Sequence, residues 1–222
     1  MLLVAMGASA QIGKHSIVTG LDFNFESGAR DYYDSAGKKY PDQSTTSKFS
    51  VSPSVGLFLS DKILAGVSAT GSWEKADDNF HGYPNAHPKN SSKSLTVFIR
   101  HYTMLSERVY FFVQSDVTWA KTVFESLAFN TSTGTIEPYR QGTHSFQAGV
   151  RPGIAYFVTP RFALESTVGF AGFTRVYSGN DDFNFQLRNI TNTFGANLNS
   201  STLRIGFRFY FARRPMSQAP EH

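Results

Sequence analysis

Leu203-Arg204-Ile205-Gly206-Phe207-Arg208-Phe209-Tyr210-Phe211 alternates along its whole length. Leu203, Ile205, Phe207, Phe209 and Phe211 fall on one face, and Arg204, Gly206, Arg208 and Tyr210 on the other. Successive strand side chains point to opposite faces, so the run predicts a strand with one bulky apolar wall and one wall of small and charged groups. The same period recurs towards the N-terminus. Phe162, Leu164, Val168 and Phe170 oppose Glu165, Thr167, Gly169 and Arg175, and Phe146, Ala148, Val150 and Ile154 oppose Gln147, Gly149, Arg151 and Gly153. Val109, Phe111, Val113, Val117 and Trp119 oppose Gln114, Asp116 and Thr118; Leu95, Val97 and Ile99 oppose Thr96, Arg100 and Tyr102. Three further segments, around 63–74, 48–59 and 17–26, complete eight, and helical periodicity is nearly absent.

The connections alternate in length. Short turns surround Ser60-Asp61-Lys62, Leu105-Ser106-Glu107 and Thr159-Pro160-Arg161, while long polar stretches cover roughly 27–47, 76–92, 125–142 and 177–199. That is an up-and-down meander with two unlike ends, and an even number of such strands closes on itself and removes both edges. The expected fold is all-β: a closed, antiparallel, transmembrane barrel of eight strands over residues 11–211. Phe183 to Leu198 either extends the last hairpin above the membrane or adds a strand pair and makes ten.

The solvent follows from the faces. Bulky apolar groups suit lipid and small polar ones suit a narrow interior. The proposed inner face carries Asp22, Glu26, Glu74, Asp116 and Glu165 against Lys48, Arg100, Arg151, Arg175, Arg204 and Arg208, five acids against six bases. Buried charge needs such near-balance. On the apolar face, Lys93 and Lys121 fall at the long-loop end, where a charge costs little. Two aromatic groups flank the apolar band: Phe111, Tyr156, Phe162, Phe209 and Phe211 at the short-turn end, and Phe23, Phe25, Phe49, Trp73, Trp119 and Phe146 at the other.

Composition excludes other classes. The 222 residues include no cysteine, which removes disulfides and thiolate metal sites, and no apolar run long enough for a transmembrane helix. The net charge of +4 is scattered, which argues against nucleic acid. Met1 to Ala10 ends in Ala8-Ser9-Ala10, the small-x-small pattern of a signal-peptidase site. Residues 1–10 are therefore expected to be the tail of a secretory signal beginning upstream, and residues 212–222 a C-terminal tail.

The signal end, the amphipathic strands and the closing Leu203–Phe211 run resemble the small outer-membrane β-barrel family of Gram-negative bacteria, the OmpA/OmpX type. Gly149 to Phe157 is similar in character. The resemblance implies a place in the bacterial outer membrane and lipid as the surrounding partner. It also implies that Phe207, Phe209 and Phe211 form the assembly signal read by the barrel-assembly machinery. The family usually ends at its terminal Phe, whereas Ala212 to His222 follow here. Such barrels include lipid A deacylases and palmitoyltransferases, and His144-Ser145 superficially matches the deacylase pair. Adjacent strand residues point apart, however, and Phe146 stands where an asparagine is expected, so no catalytic residues, cofactor or metal site are expected.

Three further expectations follow. Glu165, Arg151, Arg204, Arg208, Asp116 and Arg100 should staple the lumen rather than line a pore, because eight strands leave an interior only as wide as its side chains. Tyr32, Tyr33, Tyr83, Tyr139 and Tyr177 are candidates for contact with an unidentified surface partner. Pro53 and Pro152, inside strands, should each mark a bulge or local break. The function expected is a structural or surface-interaction outer-membrane barrel. The alternatives are a small porin and a soluble lipocalin-like carrier, the latter needing an apolar interior.

Overall fold

The computed structural model describes residues 14–33, 39–78, 89–130, 135–179, 189–198 and 203–211. They form strands β1 (Ile17–Tyr33), β2 (Lys39–Ser60), β3 (Ile63–Asp78), β4 (Lys89–Met104), β5 (Val109–Asn130), β6 (Thr135–Thr159), β7 (Phe162–Thr167), β8 (Phe170–Gly179), β9 (Asn189–Asn197) and β10 (Arg204–Phe211). Every pairing is antiparallel. β1 to β6 follow one another, β6 pairs β7, β7 pairs β10, and β10 pairs β1, which closes a ring of eight positions. β8 and β9 add no position to that ring. β8 continues β7 upward along β6, and β9 pairs β8, so residues 189–197 extend the last hairpin. The expected signal segment and the 212–222 tail lie outside the described residues.

The strands run further than the sequence suggests. β1 reaches Tyr33 and β2 begins at Lys39, so most of the stretch expected as a long loop is paired strand. The same holds for β5 and β6, paired up to Asn130 and Thr135. Polar residues do not stop a ladder. They only mark where it has left the apolar slab.

The outer wall is the apolar one. Leu95, Val97, Ile99, Val117, Ile154, Ile205 and Phe209 are all exposed, flanked by exposed Trp73 and Trp119 at one end and by Phe111, Tyr156 and Phe211 at the other. A lipocalin-like arrangement, apolar inside and polar outside, is excluded. The inner wall is not polar throughout, however. At the short-turn end Phe58, Leu64, Tyr102, Tyr110, Phe112, Phe157 and Tyr210 fill the lumen, all nearly solvent-free. Their rings contact one another, with centroids 4.9 Å apart for Phe157–Tyr210 and 5.2 Å for Tyr102–Phe112. The signal was legible: Leu57-Phe58-Leu59, Ile63-Leu64, Tyr110-Phe111-Phe112 and Tyr156-Phe157 are apolar on both faces.

One expected face is wrong. Below the junction Gly153 pairs Thr167, and above it Val150 pairs Ala171, so Val168, Gly169 and Phe170 oppose only Arg151 and Pro152. This is a one-residue bulge, with Gly169 in the left-handed region at φ +79°. A one-residue offset exchanges faces. Phe170, expected to face lipid, turns inward and lies under the Arg151 guanidinium at 4.6 Å. Arg175, expected inside, is in register with outward Phe146 and lies 4.9 Å from the Tyr177 ring.

Candidate functional site

The lumen is layered. Directly above the aromatic plug sits a charged layer fed by six ring positions. Glu165 on β7 accepts hydrogen bonds from Tyr102 Oη (3.0 Å) and Tyr210 Oη (3.1 Å) and pairs with the guanidinium groups of Arg100 and of Arg208, the latter at 3.0 Å. Arg208 also donates to both Asp22 oxygens, at 2.7 and 2.8 Å. From Arg100 the chain continues through Gln114 Oε1 (2.7 Å) to Asp116 Oδ2, which accepts from Gln114 Nε2 (2.8 Å) and Arg151 Nε (2.9 Å). Glu165 and Arg208 are almost completely buried. Three carboxylates thus meet three guanidiniums, with the remaining sites largely filled by neutral donors and acceptors, which is what low-dielectric burial of charge requires.

The backbone makes room for it. Gly20 stands opposite Arg208 and Gly206 opposite Asp22. A Cβ at Gly20 would run into the Arg208 side chain, and one at Gly206 into the Asp22 carboxylate.

The structure brings Glu165, Arg100 and Arg208 together as one contact group and Asp116 with Arg151 as another, joined through Gln114. Arg151 and Arg204 do not touch Glu165; Arg151 pairs with Asp116 instead. Arg204 makes no ion pair or hydrogen bond with the described residues and instead lines the space above. Alternation in the sequence puts Glu165, Arg100, Arg208, Asp116 and Arg151 on one inner face, and the antiparallel last strand sets Arg208 diagonal to Glu165. Missing were Asp22, Gln114, Tyr102 and Tyr210 as members, because their roles depend on closure of the first strand on the last and on how far each side chain reaches across the lumen.

Above the charges lies a cavity of about 430 Å³, lined by Ser50, Ser52, Thr70, Ser72, Ser92, Ser94, Thr96, Thr118, Thr122 and Ser145. Its floor is Arg151 and Arg204, and Glu26 and Lys48 stand higher on its wall. The hydroxyls partly satisfy one another, as in Ser52–Thr70 and Thr96–Thr118, each at 2.8 Å. This vestibule offers hydrogen bonds without a nucleophile–base pair. Ser145 lines it, whereas His144 lies outside, stacked on Trp119 at 5.8 Å, so the two cannot act on one substrate. Among the described residues no cluster of three His, Asp or Glu side chains is placed to hold a metal. His81 and His87 lie outside them.

Tyr32 and Tyr33 end β1, Tyr139 lies within β6 and Tyr177 within β8, on strand extensions rather than in loops. Tyr83 lies outside the described residues. Phe207, Phe209 and Phe211 form an outward aromatic row on β10, and Phe162 stacks on Phe207 (6.0 Å) and meets Phe209 at a tilt (5.0 Å).

The outer membrane protein OprG from Pseudomonas aeruginosa superposes with a TM-score of 0.52 at 13% identity, over 92% of this chain and 99% of that one. The fold is that of a small outer-membrane β-barrel. Neisserial surface protein A matches at TM-score 0.38 and 16% identity over 88% of this chain and 97% of its own. The attachment invasion locus protein Ail of Yersinia pestis matches at 0.34 and 13% over 89% and 99%. No family model matches the chain and no curated protein matches it in sequence.

Proposed function

We infer that the chain is an integral protein of a bacterial outer membrane, non-enzymatic, with a structural or surface-interaction role exercised at the long-loop end. The observation that carries this reading is the asymmetry of the lumen. One end is closed by packed rings and a charge-paired layer, and the other opens as a hydroxyl-lined cup. A closed floor suits an anchor that displays its upper end, and hydroxyls suit transient contact with polar partners. The aromatic row of β10 would serve the barrel-assembly machinery during insertion.

The test is conductance. Purified protein in a planar bilayer should give no steady ohmic current, while remaining in the membrane fraction and showing heat-dependent gel mobility. A stable ion-selective current would favour the small-porin reading. Recovery in the soluble periplasm without detergent would sink the membrane reading altogether.

A further inference from the structure

The upper outer wall carries a belt of cations. Lys93 on β4 and Lys121 on β5 stand directly opposite one another, one outward step above Leu95 and Trp119. One ladder further, Lys121 faces His144. On β3 and β4, Lys75 faces Lys89 in the same way. Arg175, turned outward by the bulge, continues the belt beyond His144, and its buried Nε has no acceptor. Directly opposed residues lie about 5 Å apart, and like charges there are destabilising.

Around Lys93, Lys121 and Arg175 the paired strands offer no internal relief. Neither Lys93, Lys121 nor Arg175 has a carboxylate at a directly opposite or diagonal position on a neighbouring strand. Glu125 stands directly opposite Lys89 at the upper edge of the belt and also sits 3.5 Å from Arg140. All four lysines are exposed. Just below them the wall is Leu95, Val97, Trp73 and Trp119, an apolar surface with interfacial aromatics at its upper rim. Whatever supplies the missing anion must therefore reach this height alongside lipid tails.

We propose that the belt built on Lys93, Lys121 and Arg175, extended by Lys75 and Lys89, binds the phosphorylated headgroup of a lipid in the outer leaflet. A phosphomonoester brings nearly two negative charges and three acceptor oxygens, which suits two opposed ammonium groups with a guanidinium nearby. The proposal rests on the membrane reading above and adds the lipid chemistry that the outer wall selects.

The experiment compares urea midpoints of the folded barrel in phosphatidylcholine vesicles with and without a minor fraction of phosphatidic acid. Wild type should gain stability with the phosphomonoester lipid, by about fivefold in its unfolding equilibrium constant for each lysine engaged. Lys93→Gln with Lys121→Gln should lose most of that gain and be at least as stable as wild type in phosphatidylcholine alone, because the repulsion is gone. Lys121→Glu, which forms a pair with Lys93, should also lose the gain while folding normally. Inorganic phosphate in solution should not substitute for the lipid. An equal gain in wild type and both variants, or an equal gain from free phosphate, overturns the proposal and leaves the barrel reading intact. Failure of every form to insert into vesicles overturns the barrel reading and the proposal with it.

Discussion

Pro53 and Pro152 lie in the same kind of place and have opposite consequences. Each sits inside a strand, and each keeps its ladder on one side: Leu21 pairs Pro53 and Val113 pairs Pro152 without a shift. The missing N–H must therefore face the other neighbour. At Pro53 the β2–β3 ladder drops two pairs and resumes in the same register, from Val51–Gly71 to Ser54–Ser68. At Pro152 the neighbouring strand breaks, inserts one residue at Gly169, and resumes with its faces exchanged. A proline alone costs a hydrogen bond, but a proline opposite a glycine that accepts positive φ costs the register. The second outcome divides the wall formed by β7 and β8, and the charge layer is attached just below that division.

The largest effect should come from removing what holds the divided wall. Glu165 is two residues below the end of β7 and is shared by Arg100, Arg208, Tyr102 and Tyr210. Glu165→Gln should cost about 3–5 kcal/mol, read as a lowered urea midpoint in detergent or lipid, because two guanidiniums lose their common anion. Arg208→Gln added to it should restore part of the loss. A Glu165→Gln protein as stable as wild type would mean that water, not protein, compensates these charges.

Next comes the continuous wall across from Pro152. Val113 faces outward in the apolar band, in register with that proline. Val113→Arg should cost about 2–4 kcal/mol, whereas Lys121→Ala, at the upper rim, should cost almost nothing. Equal midpoints for the two in lipid would contradict the outward assignment of this wall.

Most of the fold was legible because alternation is a local signal that survives at every strand: eight ring positions, outward Phe207 and Phe209, and a charged interior can be read residue by residue. What escaped was non-local. Gly169 reads as an ordinary inward glycine until its partner is known to be the Pro152 segment, so Phe170 and Arg175 were assigned to the wrong faces. Asp22 joined the charge layer only through closure of β1 on β10. The aromatic plug at Phe58, Phe112 and Phe157 was in view, but a period-2 reading credits each apolar doublet to one face and passes over its partner.

A smaller effect should follow at the bulge itself. Gly169→Ala puts a Cβ on a residue at φ +79° and against the Leu198 side chain, for an expected cost of about 1–3 kcal/mol. The exchange of faces can be read directly, since the chain has no cysteine. Arg175→Cys should react with a membrane-confined thiol reagent and Phe170→Cys with a small water-soluble one. The reverse pattern would restore unbroken alternation through this segment and remove the contrast with Pro53.

The smallest effect tests how the Pro53 side keeps its register. Where β2 and β3 lose the backbone pairs of Ser52 and Pro53, the Ser52 and Thr70 hydroxyls bond at 2.8 Å across the same gap. Thr96 and Thr118 make a bond of the same length across a ladder that is intact. A hydroxyl bond contributes about 0.5–1.5 kcal/mol, and Thr→Val removes it at nearly constant volume. If the side-chain bridge substitutes for the missing ladder bonds, Thr70→Val should fall at the upper end of that range and Thr118→Val at the lower. Amide exchange should also quicken at Gly71 and Ser68 only in the first variant. Equal midpoints with unchanged exchange would mean that the flanking pairs alone hold the register, and that a barrel wall absorbs a proline without local compensation.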